Sequence, residues 1–152
     1  MTYEIYCDGS CRKNGSSESS AAYGWVILYN NEPIRKGAGR LPTGSTNNMA
    51  EMTGMIKALE YWKENYEGSV IVYSDSAYIV NAYNQHWIDN WYRNGWKTAN
   101  KTPVKNKELW VELYPYFKDT DRVKLEKVPA HSGVLWNEMV DKIANEAAQQ
   151  KM

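Results

Sequence analysis

Phenylalanine is almost missing from this chain: 152 residues hold 1 Phe against 12 Tyr and 7 Trp. The aromatic bulk therefore carries polar handles, which suit half-buried faces and stacking surfaces as well as a core. Cysteine is scarce, with Cys7 and Cys11 alone, and no further Cys or His stands near them to complete a zinc site. Both read as reduced thiols of a cytoplasmic protein. No apolar run approaches the roughly 20 residues that a membrane span requires, and no basic-then-apolar leader opens the chain; no membrane partner is expected. Charge of one sign is not in excess either, since Lys+Arg and Asp+Glu both total 18. Bulk charge is silent about a polyanionic partner, and any such signal must lie in its distribution. Repeats, linkers and low-complexity tracts are absent.

What is present fits one domain over residues 1–152, long enough to bury its own core. Thr2 to Asp8 alternates, with Tyr3, Ile5 and Cys7 on one face and Glu4, Tyr6 and Asp8 on the other, so it reads as a strand. A Gly/Ser-rich loop from Gly9 to Ser20 leads to a second strand at about Tyr23–Tyr29. Asn30 to Pro33 makes a turn into a third at about Ile34–Gly39, which completes an antiparallel meander. Met52, Ile56, Leu59 and Trp62 then recur at helical spacing, predicting an amphipathic helix over about Asn48–Tyr66 that Gly68 ends. Ser69–Tyr73 is a buried strand, and strand–helix–strand connections of this kind make two strands parallel. Helices are expected at Ala77–Asn84, Trp87–Trp91 and Lys105–Phe117, a fifth strand at Val123–Val128, a loop at Pro129–Trp136 and a last helix at Asn137–Gln150. The reading is an α/β domain with a five-stranded mixed sheet, strands 1–3 antiparallel and strands 4 and 5 parallel to strand 1, flanked by helices.

Four acids stand where functional acids stand. Asp8 ends strand 1 and Asp75 ends strand 4; open α/β sheets carry their sites at the carboxyl ends of parallel strands. Glu51 lies in the first turn of the connecting helix, and Asp141 in the final helix, one turn beyond Asn137 on the same face. Singly, each could be a surface acid, and Asp75 could be a helix N-cap.

The set Cys7-Asp8-Gly9-Ser10, Asn47-Asn48-Met49-Ala50-Glu51, Ser74-Asp75-Ser76 and His131 followed by Asp141 resembles the type 1 ribonuclease H family over essentially the whole chain. That resemblance implies a ribonuclease H-like fold and an endonuclease that hydrolyses the RNA strand of an RNA–DNA hybrid, leaving 5′-phosphate and 3′-hydroxyl ends. It implies that Asp8, Glu51, Asp75 and Asp141 hold two magnesium ions with substrate bound, with manganese as a substitute. Hard magnesium takes oxygen ligands. His131 matches the family's loop histidine, able to carry a proton near neutrality; His86 has no matching role and reads as structural.

Distinguishing RNA from DNA requires contact with the 2′-hydroxyl. Asn14, Asn47 and Asn48 match the family's minor-groove positions, though Asn48 could equally be a helix cap. Thr46 and Asn106 match a pocket that grips a DNA-strand phosphate. From Arg93 to Lys107 the chain holds Arg93, Lys97, Lys101, Lys105 and Lys107 and no acid, with Trp87, Trp91 and Trp96 alongside. This looks like the family's basic protrusion, for which Trp87, Trp91 and Lys97 would touch the DNA strand; alone, it reads as a solvated face. The neutral net charge, and Met49, Ala77 and Gly44 where many bacterial members carry polar or basic side chains, depart from the pattern. Two rivals share the sheet. A binding module would hold the hybrid without cutting, and a proofreading-type 3′ exonuclease would carry a second acid at the position of Ser10. A monomer is expected.

Overall fold

The computed structural model describes residues 2–98, 100–128 and 135–149. Five strands and five helices follow in the order β1 (Thr2–Arg12), β2 (Ser20–Tyr29), β3 (Glu32–Arg40), α1 (Asn47–Asn65), β4 (Ser69–Ser74), α2 (Ala77–Asn84), α3 (Trp87–Arg93), α4 (Lys107–Phe117), β5 (Val123–Lys127) and α5 (Leu135–Gln149). The strands form one sheet in the order β3-β2-β1-β4-β5. β1, β2 and β3 are antiparallel neighbours, while β1, β4 and β5 run parallel, as expected.

The alternation of β1 sorts the core into two layers. Tyr3, Ile5 and Cys7 pack with Trp25 and Ile27 of β2 against Met52, Met55, Ile56, Leu59 and Trp62 of α1. On the other face Tyr6, Val26 and Leu28 meet Val140 of α5. Each fully buried aliphatic side chain contributes roughly 1.5–3 kcal/mol against leaving it exposed. α5 sits unusually close to the sheet: a Cβ on Gly24 would lie 2.9 Å from the Val140 carbonyl oxygen and 3.0 Å from the Ala144 nitrogen. Ala22 continues this small-residue track against Ala147 and Ala148.

Among the boundaries that differ from the sequence expectation, three have a local reason. β1 does not stop at Asp8, because Gly9 to Arg12 stay paired with β2 from Tyr23 to Ser20. α4 starts at Lys107 rather than Lys105, because Asn106 has φ +61° and breaks the turn before it. α5 starts at Leu135, inside the expected loop; Leu135 is 66% exposed, so no apolar periodicity marks it.

Candidate active site

The parallel ladder between β1 and β4 ends at the pair Tyr6 and Tyr73. Beyond it the two strands part, β1 continuing with β2 alone, and Asp8 and Asp75 stand at that fork. Glu51 reaches it from α1. It lies one turn into the helix rather than in the first turn, since α1 begins at Asn47 after the N-cap Thr46 and has no acid in its first turn. Gly9 permits this approach: a Cβ there would lie 2.7 Å from the Glu51 nitrogen. Carboxylate oxygens of Asp8, Glu51 and Asp75 lie within 4.8 Å of one another. Asp141 is exposed and outside that tight group, yet it joins Asp8 and Asp75 on the wall of a cavity of about 120 Å³, together with Asn137 and Glu138.

Gathering acids at the edge of a core perturbs them. Burial pushes the Asp8 carboxyl well above the ordinary carboxylate range, and the neighbouring charges of Glu51 and Asp75 push it further, while the Gly9 N–H donates to Oδ1 at 2.8 Å and opposes the shift. Burial also raises Glu51, followed by an opposing hydrogen bond from Ser74 and the charge of Asp75. The Ser74 hydroxyl donates to Glu51 Oε1 at 2.6 Å and accepts the Ser76 N–H at 3.1 Å. Ser74 is fully buried. The sequence reading missed this role, although Ser74 stands in the Ser-Asp-Ser motif.

The donor set suits a hard divalent cation, which takes carboxylate and carbonyl oxygens. Asn137 supports the fit. It is 6% exposed, and its Oδ1 has no hydrogen-bond partner among the described residues although it belongs to the cavity wall. An orphaned buried acceptor is costly unless something satisfies it. Cys7, in contrast, is no ligand: burial first, then the three acids, keeps its thiol protonated, and its Sγ–H points to the Tyr73 carbonyl.

A family model described as RNase H matches residues 1–149 of this chain. The chain belongs to the RNase H family. Ribonuclease H of Clostridium botulinum is 45% identical over 146 residues, 96% of this chain and 95% of that protein. Ribonuclease H of Caldicellulosiruptor saccharolyticus is 43% identical over 140 residues, 92% of this chain and 91% of that one. Among solved structures, the crystal structure of LC9-RNase H1 superposes with a TM-score of 0.81 at 26% identity, covering 97% of this chain and 72% of that one.

The remaining residues singled out by the resemblance lie as follows. His131 lies outside the described residues. Asn14, Asn47 and Asn48 come together at the start of α1, where the Asn47 N–H donates to Asn14 Oδ1 at 3.0 Å. Asn48 is not the helix cap. That role belongs to Thr46, whose hydroxyl oxygen accepts the Met49 N–H at 3.2 Å while Met49 Sδ accepts the Thr46 N–H. Asp75 is not a cap either, since Ser76 caps α2. Asn106 borders a groove of about 620 Å³ between α1 and α4, with Arg40, Lys57, Gly44 and Met49 among its walls. Its Nδ2 is buried without a partner among the described residues, so a donor waits there. Thr46 lies beside that wall rather than in it.

Trp87 and Trp91 are half-buried and packed on the core, with rings 6.5 Å apart and Trp91 edge-on to Trp110 at 5.4 Å. Lys97 is exposed and begins a hairpin-like loop, bridged to Pro103. With Asn94, Thr98 and Lys101 it borders a concavity of about 420 Å³. Among the described residues Lys97, Lys101, Lys105 and Lys107 make no ion pair. His86 is exposed and is paired with Asp89 at 2.9 Å at the start of α3.

Proposed function

We propose that this protein cuts the RNA strand of an RNA–DNA hybrid, with two magnesium ions held by Asp8, Glu51, Asp75 and Asp141, and leaves 5′-phosphate and 3′-hydroxyl ends. One observation carries this reading: in a chain of the RNase H family, three acids share oxygens within 4.8 Å at the fork of two parallel strands. The relatives named ribonuclease H support the activity. Acids raised by burial and mutual repulsion are costly without a cation and available to one.

When bound, magnesium supplies a Lewis acid that activates water and offsets charge on the transferring phosphoryl group. The chain's own residues do the rest. Ser74 fixes the Glu51 carboxylate, so the ligand set needs little rearrangement. Asn14, Asn47 and Asn48 offer amide donors and acceptors to the 2′-hydroxyl and base edges, by which RNA is told from DNA. The Asn106 Nδ2, unpartnered among the described residues, donates to a phosphate of the DNA strand, and so does the Thr46 hydroxyl. Trp87 and Trp91 pack on its sugars, and Lys97 with its neighbours neutralises its backbone. His131 carries a proton near neutrality. Manganese substitutes for magnesium on the same oxygen ligands.

The test is a magnesium-dependent assay on a closed circular hybrid, with RNA–RNA and DNA–DNA duplexes alongside. Cutting of the circular hybrid's RNA strand alone is expected. An intact but bound circle would identify a binding module, cutting only of linear ends an exonuclease, and equal rates on DNA would sink the ribonuclease H reading.

A further inference from the structure

Asp141 poses a problem that its three partners do not. Asp8 and Glu51 are buried and Asp75 is half-buried, so packing restricts their rotamers. Asp141 lies on an exposed part of α5, where a free carboxylate would wander between staggered rotamers. Yet it has to face the cavity shared with Asp8 and Asp75.

A hydrogen-bond chain crosses from the sheet to do this. Ser10 stands two residues beyond Asp8 on β1, and therefore on the same face of the strand. Its hydroxyl donates to Asn145 Oδ1 at 2.5 Å. Asn145 stands four residues after Asp141 and shares its face of α5, and its Nδ2 donates to Asp141 Oδ2 at 3.4 Å. The second bond is long and contributes little on its own. Its value lies in direction. Because Ser10 commits the amide oxygen, the amide nitrogen is turned toward Asp141, and one carboxylate oxygen is engaged while the other is left for the cavity. The device is also neutral. A lysine at 145 would compete with a cation for Asp141, and an acid would add repulsion; an amide orients the carboxylate without doing either.

We propose that Ser10 and Asn145 are positioning residues that hold Asp141 toward the metal-binding acids. The proposal rests on reading those acids as the magnesium site. Partners that orient a metal ligand typically matter by 10- to 100-fold in metal affinity or activity. The lower end is expected here because the chain is exposed.

The test follows magnesium binding directly, by the rise in melting temperature of the metal-free protein as magnesium is added without substrate, and then hybrid cleavage. Ser10→Ala and Asn145→Ala should each raise the magnesium concentration at half-maximal effect roughly ten-fold. Each should lower kcat with KM changed less than two-fold. Ser10→Thr, which keeps the hydroxyl, should restore wild-type behaviour. The double variant should be no worse than either single, because the two residues act as one chain. Wild-type magnesium midpoints in both alanine variants would overturn the proposal, as would a lower metal-free melting temperature with an unmoved midpoint, or a double variant whose loss is the product of the two. Asp141→Asn separates the levels: if it binds magnesium and cuts normally, the reading of the site itself fails. If it is crippled while Ser10→Ala is normal, only the chain is wrong.

Discussion

At Asp8 one hydrogen bond, from the Gly9 N–H, works against several influences of the opposite sign. Burial and the charges of Glu51 and Asp75 raise its carboxyl far above the unfolded value near 4. A carboxyl raised on folding binds its proton more tightly in the folded protein, so its stabilising contribution is complete below the unfolded pKa and is lost as pH rises through the folded one. Glu51 is shifted the same way, so the metal-free site strains the fold from about pH 4 upward through neutrality. Asp8→Asn should therefore abolish cleavage yet raise the melting temperature of metal-free protein at pH 7, at roughly 2–4 °C for each kcal/mol relieved. The gain should shrink toward pH 4, and magnesium should narrow it by stabilising wild type more than the variant. Melting curves at two pH values, with and without magnesium, decide the matter, and an Asp8→Asn protein that melts lower at pH 7 would make Asp8 a structural acid. Ser74 acts in the opposite sense, since its hydroxyl favours charged Glu51. Ser74→Ala should raise the Glu51 carboxyl further, moving the acid limb of the pH–rate profile to higher pH. An unshifted limb with a simple loss of stability would confine Ser74 to packing.

Two helices, α1 and α5, bring acids to the fork of β1 and β4, and each approaches the sheet through a glycine. Gly9 gives Glu51 its place on α1, and Gly24 lets α5 settle close enough for Asp141 to share a cavity with Asp8 and Asp75. Overpacking costs typically about 1–3 kcal/mol, and at Gly24 the obstructing atoms are the Ile143 side chain and the backbone of Val140 and Ala144, the last two of which cannot swing aside. Gly24→Ala should thus lower stability by that amount in urea titration. It should also reduce cleavage at temperatures where the protein remains fully folded, because α5 moves outward with Asp141; a purely structural effect would leave folded-state cleavage unchanged. Such close approaches explain what the sequence disclosed and what it concealed. Alternation marked β1 and helical spacing marked α1, and strand ends together with short motifs brought out Asp8, Glu51, Asp75 and Asp141 as candidates, because those signals are local. Asn145 and Ser10 are bonded across 135 residues of sequence, and no local pattern announces such a pair. The early start of α5 was hidden because Leu135 faces solvent. The cap at Thr46 rather than Asn48 was decided by one backbone N–H bond to a side-chain oxygen, an acceptor that either residue type could have supplied.

At the scale of the whole molecule, charge balance conceals an asymmetry. Lys+Arg and Asp+Glu are equal at 18, yet the segment from Arg93 to Lys107 holds only cations, and the described lysines in it are free of ion pairs. Three of the acids, Asp8, Glu51 and Asp75, gather instead at the fork of β1 and β4, where a cation can offset them. Under the proposed function the two regions would divide the labour, one steering and holding a polyanion, the other acting on it. Backbone neutralisation releases condensed counterions, so log affinity falls against log salt with a slope of about −0.9 per phosphate contact for B-DNA, a guide for the hybrid. Replacing Lys97, Lys101 and Lys105 with Gln should weaken hybrid binding at low salt and flatten that slope by at most about 2.7, three such contacts. Cleavage at saturating substrate should change far less, because none of the three touches the carboxylates. The contrast also separates this segment from the acids: Asp8→Asn should stop cleavage while leaving the salt slope unchanged. Binding isotherms of metal-free protein at four salt concentrations, with a hybrid too short for two molecules, measure the slope directly. If the triple variant keeps the wild-type slope, the lysines face only solvent and the DNA strand is held elsewhere, for which the groove bordered by Arg40, Lys57 and Asn106 is the next surface to neutralise.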